Sequence, residues 1–298
     1  MTEFGCIPAG ARGGVESARL GLERPRFELV PIKSALEAAD DLPQGAEVTI
    51  SCSPALGIEN TLELAEELSE RGFQVVPHLA ARLVTGTGHL NKLLRRMDDS
   101  GLRDVFVVGG DSAEPNGPFS SGLDLLEAMS RREHGLERIG VPGYPEGHPL
   151  IDDERLTEAL LDKQRFASYV VTQICFEPQA TLGWLERIRH QGVSLPVYVG
   201  VPGAVERAKL LRVSFKIGIG NSLRFLRKQP GISGHLMTHD SYTPDDLVEG
   251  LSPYVGDADY GIRGFHINTF NQADTTERWR AQMLYSGCTL RSAEEIDG

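Results

Sequence analysis

Glu28 interrupts RFELVP, an otherwise apolar run, and Asp111 follows two glycines at the end of DVFVVGGD. A carboxyl group in such a run has two readings. It is either a glutamate on a solvent-exposed edge, or a desolvated acid whose proton affinity rises until it can donate near neutral pH. Asp111 divides in the same way, between a turn-capping aspartate and a carboxylate that pairs with an N–H or a cationic ring. Gly109 and Gly110 would let the backbone approach a flat ligand closely. Other polar residues recur at or near the ends of apolar runs: Ser51, His78, Tyr144 with His148, Gln173, and Asn268 with His266. Each alone reads as a satisfied core group. A fold that gathered these ends on one rim would make them a single site.

The elements that must do the gathering are short apolar, β-branched runs bounded by turn residues. They span Arg26–Pro31, Glu47–Ser53, Gln74–Ala80, Asp104–Val108, Arg138–Val141, Tyr169–Phe176, Pro196–Val201 and Gly264–Thr269. Between them lie segments with apolar residues three and four apart. The clearest is Glu59–Gly72, with Leu62, Leu64, Ala65 and Leu68 predicted inward and Gly72 as the stop. Strand then helix, repeated with buried parallel-type strands, predicts an α/β fold, a (β/α)₈ TIM barrel. The chain reads as one domain, residues 1–298, with the barrel proper over about 26–285. The rhythm breaks between strands seven and eight, where VERAKLLR, NSLRFLRK and TPDDLVEGL predict extra helices, and the first 25 or so residues read as a cap. In such barrels the site lies at the C-terminal ends of the strands, where the polar residues above fall.

Composition narrows the partners. Acidic residues outnumber basic ones 42 to 30, a net charge of −12, which argues against nucleic acid or an anionic membrane as the main partner. No apolar run approaches the ~20 residues of a spanning helix, and the first twenty residues lack a basic stretch followed by an apolar one. Cys6, Cys52, Cys175 and Cys288 lie far apart with no CxxC, so free thiols and a cytoplasmic location are expected. GTGHLN and GIGN do not complete GxGxxG after a strand. His78 and His89 lack the context of a zinc or facial-triad site, so no metal is expected.

Taken in order, RFELVP, VVPHLA, VVGGD, GYPEGHP, DKQRFASYVVTQICFEP and GFHINTFN resemble the methylenetetrahydrofolate reductase family over almost the whole chain. YPEGHP and TQICF at this separation are the most specific parts. The resemblance implies a barrel that reduces 5,10-methylenetetrahydrofolate to 5-methyltetrahydrofolate. It implies that Glu28 is the general acid that helps open the imidazolidine ring to an iminium ion, and that Asp111 sits by the pterin and favours that cation. It assigns Gln173 and Asn268 to the folate, and His78, Gly110, Tyr144, His148 and Lys163 to NADH or FAD. It also implies association of the barrels as homo-oligomers.

The pattern departs from the family at the flavin. The fourth-strand motif usually reads Arg-Gly-Asp, and here Gly109 stands in place of the arginine. Ala159 and Asp162 occupy the places of an asparagine and an arginine on the helix before Lys163, and Asn268 and Gln272 replace an aromatic and an arginine after the eighth strand. Each lost charged contact weakens binding by about 1–3 kcal/mol. The expectation is therefore weak or absent FAD, with NADH passing hydride directly to the folate iminium. A tetrahydrofolate-linked methyltransferase or demethylase, or a non-catalytic folate-binding relative, would share the barrel and the pterin contacts.

Overall fold

The computed structural model describes residues 21–216 and 241–294. Eight parallel strands close into a barrel: β1 (Arg26–Leu29), β2 (Glu47–Ile50), β3 (Gln74–Ala80), β4 (Asp104–Val108), β5 (Arg138–Gly143), β6 (Tyr169–Thr172), β7 (Val197–Pro202) and β10 (Ile262–Asn268). Neighbours run β1-β10-β7-β6-β5-β4-β3-β2, so the last strand pairs with the first. β8 (Val205–Glu206) and β9 (Ser241–Tyr242) form a separate antiparallel pair beside the barrel. Helices α1 (Ala35–Asp40), α2 (Gly57–Glu70), α3 (Thr87–Asp99), α4 (Gly122–Ser130), α5 (Asp153–Gln164) and α6 (Pro178–His190) follow the first six strands. α7 (Arg207–Lys216) and α8 (Asp245–Leu251) lie between β7 and β10, and α9 (Ala273–Glu294) follows β10. Among the described residues no helix is long and apolar enough to cross a membrane.

Each amphipathic helix lays its apolar stripe on the outside of the barrel, as Ile58, Leu62, Leu64, Ala65 and Leu68 of α2 do. The barrel interior is a second, smaller core of Val76, Phe106, Tyr169 and Val171. Gly140 is dictated by this packing, because a Cβ there would lie 2.3 Å from the Tyr169 ring. Beneath the core, Arg26 is only 1% exposed and lies between the rings of Tyr169 and Tyr198, 3.9 and 4.0 Å from their centroids. Glu47 ion-pairs with it, and Asp104 lies 3.6 Å away while accepting from Arg138 and from the Tyr169 hydroxyl at 2.8 Å. Charge thus closes the N-terminal end of the barrel.

β3 and β4 match their predicted bounds, whereas β1, β2 and β6 end sooner than their apolar runs. The reason at β6 is that Ile174, Cys175 and Phe176 stay buried after the chain has left the strand, so hydrophobicity does not mark its end. VERAKLLR is not all helix, since Val205 and Glu206 form β8 before α7 begins. TPDDLVEGL contains α8. NSLRFLRK, the first twenty residues and Cys6 lie outside the described residues, as does the Cys288 side chain. Cys52 and Cys175 carry free thiols.

Candidate active site

Strand register builds the first part of the site. Glu28 on β1 is opposite Thr49 on β2 and Asn268 on β10, which puts the three side chains in one layer at the C-terminal end. The Glu28 Oε2 lies 2.9 Å from Nε2 of His266 and 4.0 Å from Nε2 of His78. Asn268, with its amide nitrogen turned toward the carboxylate, donates to both oxygens at 3.3 Å. Thr49 Oγ1 is 3.5 Å from His266 Nε2. Beyond these contacts, the ring of His78 packs on Phe106 with centroids 4.7 Å apart. His78 therefore lies inside the barrel beside Glu28.

The expectation of a raised Glu28 carboxyl is corrected by this arrangement. Burial does push it up, but the His266 hydrogen bond and the fields of His78 and His266 outweigh burial, and the carboxyl sits below the ordinary glutamate range. His78 goes the other way. Burial outweighs the attraction of Glu28 and pushes its imidazole down to about 4. The described geometry is a carboxylate flanked by two buried imidazoles, and the buried Nε2 of His78 has no hydrogen-bond partner among the described residues.

A second group lies at the same end of the barrel, on the loops after β4 and β5. Gly110 has φ +95°, and a Cβ there would meet the Cβ of Ala80 at 3.0 Å, so only glycine turns the chain here. Gly109 has open space where a side chain would be. The loop that follows is tied down by Arg82, whose guanidinium donates to the carbonyls of Ala113 and Ser120 at 2.7 and 3.2 Å. Asp111 is exposed at its start, and its charge raises the proton affinity of Cys52, Tyr144 and His148. Burial and Asp111 push Tyr144 up to about 12, while burial holds His148 low against the pull of Asp111. The two rings meet edge to face at 5.2 Å.

Gln173 follows β6, anchored by its backbone N–H to the Gly143 carbonyl at 2.8 Å, and its Oε1 accepts from the Ile174 N–H at 2.9 Å. That leaves Nε2 to donate. Lys163 on α5 reaches the N-terminus of α4, where its Cε lies 3.8 Å from the place of a Gly122 Cβ, and burial lowers its proton affinity. Gln272 belongs to the scaffold, since its Oε1 accepts from the Glu206 N–H at 3.0 Å. Sequence reading gave Glu146 no role. Its Oε1 accepts the N–H groups of Phe176 and Glu177 at 2.6 and 2.9 Å, fixing the loop of Gln173 at the start of α6. The only advance signal of that role was its place in YPEGHP.

A closed parallel barrel with its titratable groups gathered at the C-terminal rim belongs to the class in which that rim carries ligand chemistry. Comparison with known proteins narrows the class. The profile of the methylenetetrahydrofolate reductase family matches residues 32–223, and the chain belongs to that family. The chain is 26% identical to methylenetetrahydrofolate reductase 1 of Schizosaccharomyces pombe over 123 residues, 39% of this chain and 20% of that protein. It is 24% identical to methylenetetrahydrofolate reductase 2 of Saccharomyces cerevisiae over 183 residues, 57% of this chain and 30% of the relative. Methylenetetrahydrofolate reductase (NADH) 1 of Arabidopsis thaliana is 24% identical over 231 residues, 70% of this chain and 35% of the relative. The matches thus span from a fifth to about a third of the length of these curated relatives. Glu28, His266 and Asn268 lie outside the span matched by the profile, and strand pairing brings them to the matched residues.

Proposed function

We propose that this chain reduces 5,10-methylenetetrahydrofolate to 5-methyltetrahydrofolate with hydride from NADH and without stably bound FAD. The observation that carries the reading is the Glu28 cluster at the C-terminal rim, with Asp111 exposed on the loop after β4 at the same end. Glu28 gives a proton to the imidazolidine nitrogen that leaves, the C–N bond breaks, and the one-carbon unit becomes a cationic iminium. Hydride from NADH then adds to that carbon and makes the methyl group. The charges balance: one proton from Glu28, one hydride from the nicotinamide. Asp111 stabilises the cation as it develops, and Gln173 donates to the pterin. In the free protein Glu28 is held low and ionised, so the proton it gives is first taken up from solvent, as bound substrate strips the side chain's remaining exposure, about a fifth, from water and raises its proton affinity.

The donor set does not suit the pyrophosphate of FAD. Lys163 offers one ammonium, but the neighbouring Asp162 is an exposed carboxylate, Ala159 offers no hydrogen bond, and the Arg82 guanidinium is already held by two carbonyls. Hydride therefore reaches the folate with no flavin step. The test is NADH oxidation by purified, flavin-free protein, with and without methylenetetrahydrofolate and then with added FAD. Folate-dependent oxidation without FAD is expected, and Glu28→Gln removes it while folate affinity stays within a few-fold. Oxidation only after FAD is added overturns the flavin part. Absence of oxidation in both conditions overturns the reductase reading in favour of methyl transfer or folate binding alone.

A further inference from the structure

Neither the resemblance nor the matched span, which ends at residue 223, gives His266 a role. Its ring nevertheless makes the shortest polar contact of the Glu28 side chain, 2.9 Å against 3.3 Å for Asn268 and 4.0 Å for His78. The residue is 2% exposed. In register it stands opposite Arg26 of β1 and Gly200 of β7, one pleat below Asn268, so its ring reaches up a layer to the carboxylate. Its Nδ1 is buried with no hydrogen-bond partner among the described residues. The tautomer that suits this geometry places the hydrogen on Nε2, facing Glu28.

We propose that His266 is a positioning residue for Glu28, holding Oε2 so that the carboxyl keeps one orientation and leaves Oε1 to the leaving nitrogen of the substrate. This rests on the reductase reading above. The groups that face Glu28 from each packed element are few. β3 contributes His78, β10 contributes His266 and Asn268, and β2 contributes the uncharged Thr49. On β1 itself, Arg26 lies a layer below and is matched by Glu47 and Asp104. Of the two imidazoles, His266 alone is within hydrogen-bond distance. Its loss frees the carboxyl to rotate and removes the contact that holds the charged form.

The deciding measurement is the Glu28 carboxyl band in substrate-free protein, followed against pH by infrared difference with Glu28→Gln as the blank. In His266→Leu the band titrates higher by about one pH unit. His266→Asn, polar but too short to reach Glu28, gives the same reading should the leucine variant not fold. His266→Gln, which keeps a donor near the place of Nε2, restores most of the wild-type value. In turnover, His266→Leu lowers kcat ~10-fold or more, leaves the KM for folate within about threefold, and moves the alkaline limb of the pH profile upward with the band. An unchanged band in both short variants overturns the proposal, even if the wild-type protein proves to be an active reductase. A shifted band in a protein that never oxidises NADH supports the Glu28–His266 pair and overturns the reductase reading.

Discussion

His78 is the residue whose charge state the fold constrains most visibly. Burial holds its imidazole down to about 4, while the unfolded chain carries it at the ordinary histidine value of 6.5. Below pH 6.5 the unfolded state therefore takes up a proton that the folded state refuses. Stability falls as pH drops from about 6.5 to about 4, by as much as ~3 kcal/mol. Glu28 adds a loss of the same sign at lower pH, because its depressed carboxyl stabilises the fold only while ionised. Urea melts across this range should show the decline in the wild type and a flatter profile for His78→Gln. An identical decline in both would place the sensitive group elsewhere. Glu28 was legible in the sequence because it breaks an apolar run. Its setting was not: the imidazole that holds it lies 238 residues away, and no local spacing brings β10 beside β1.

The elements that carry these side chains are closed by a turn that sequence reading passed over. After β10, Phe270 and Asn271 take the left-handed conformation, φ 51° and 58°, which is uncommon for residues other than glycine. Asn271 then acts as a substitute strand. Its Oδ1 accepts from the Val30 N–H and its Nδ2 donates to the Val30 carbonyl, both at 2.9 Å. Thr269 Oγ1 donates to the Glu28 carbonyl at 2.7 Å. Asn271→Ala leaves the Val30 N–H without its partner, while the Val30 carbonyl keeps the Ile32 N–H at 2.7 Å, and should cost about 1–2 kcal/mol. It should also raise the spread of Glu28 orientations. Denaturant midpoints and the KM-against-kcat split check both effects, and a variant as stable as wild type would remove the turn from the closure of the barrel. The same scale shows where reading by pattern stops. Strand positions followed from hydrophobic runs, but strand ends did not, since buried loop residues such as Ile174 and Phe176 are as apolar as the strand before them. α1 and the β8–β9 pair are too short to leave a periodic signal.

Across the whole molecule, polar chemistry sits at both ends of the barrel with the Val76, Phe106, Tyr169 and Val171 core between. At the floor, among the described residues, Arg26 pairs with Glu47, and Asp104 pairs with Arg138 and Arg26 and accepts from the Tyr169 hydroxyl. At the rim, Glu28 keeps part of its side chain open to solvent and among the described residues is paired with imidazoles alone, not with an arginine or lysine. Arginine–carboxylate pairing fits a structural role, and a carboxylate left without such a partner fits a ligand. Arg26→Met separates the two. The methionine fills space between the tyrosine rings, and Arg138 still reaches Asp104 at 2.8 Å and Glu47 at 3.2 Å, so neither carboxylate is stranded. The loss should therefore fall near the low end for breaking a buried ion pair, about 3 kcal/mol. It should appear as a lower urea midpoint, while, on the proposed reductase activity, the folded fraction keeps kcat within about threefold of wild type. A large fall in kcat at unchanged stability would mean that the floor takes part in the reaction, and that the division between a structural end and a chemical end is wrong.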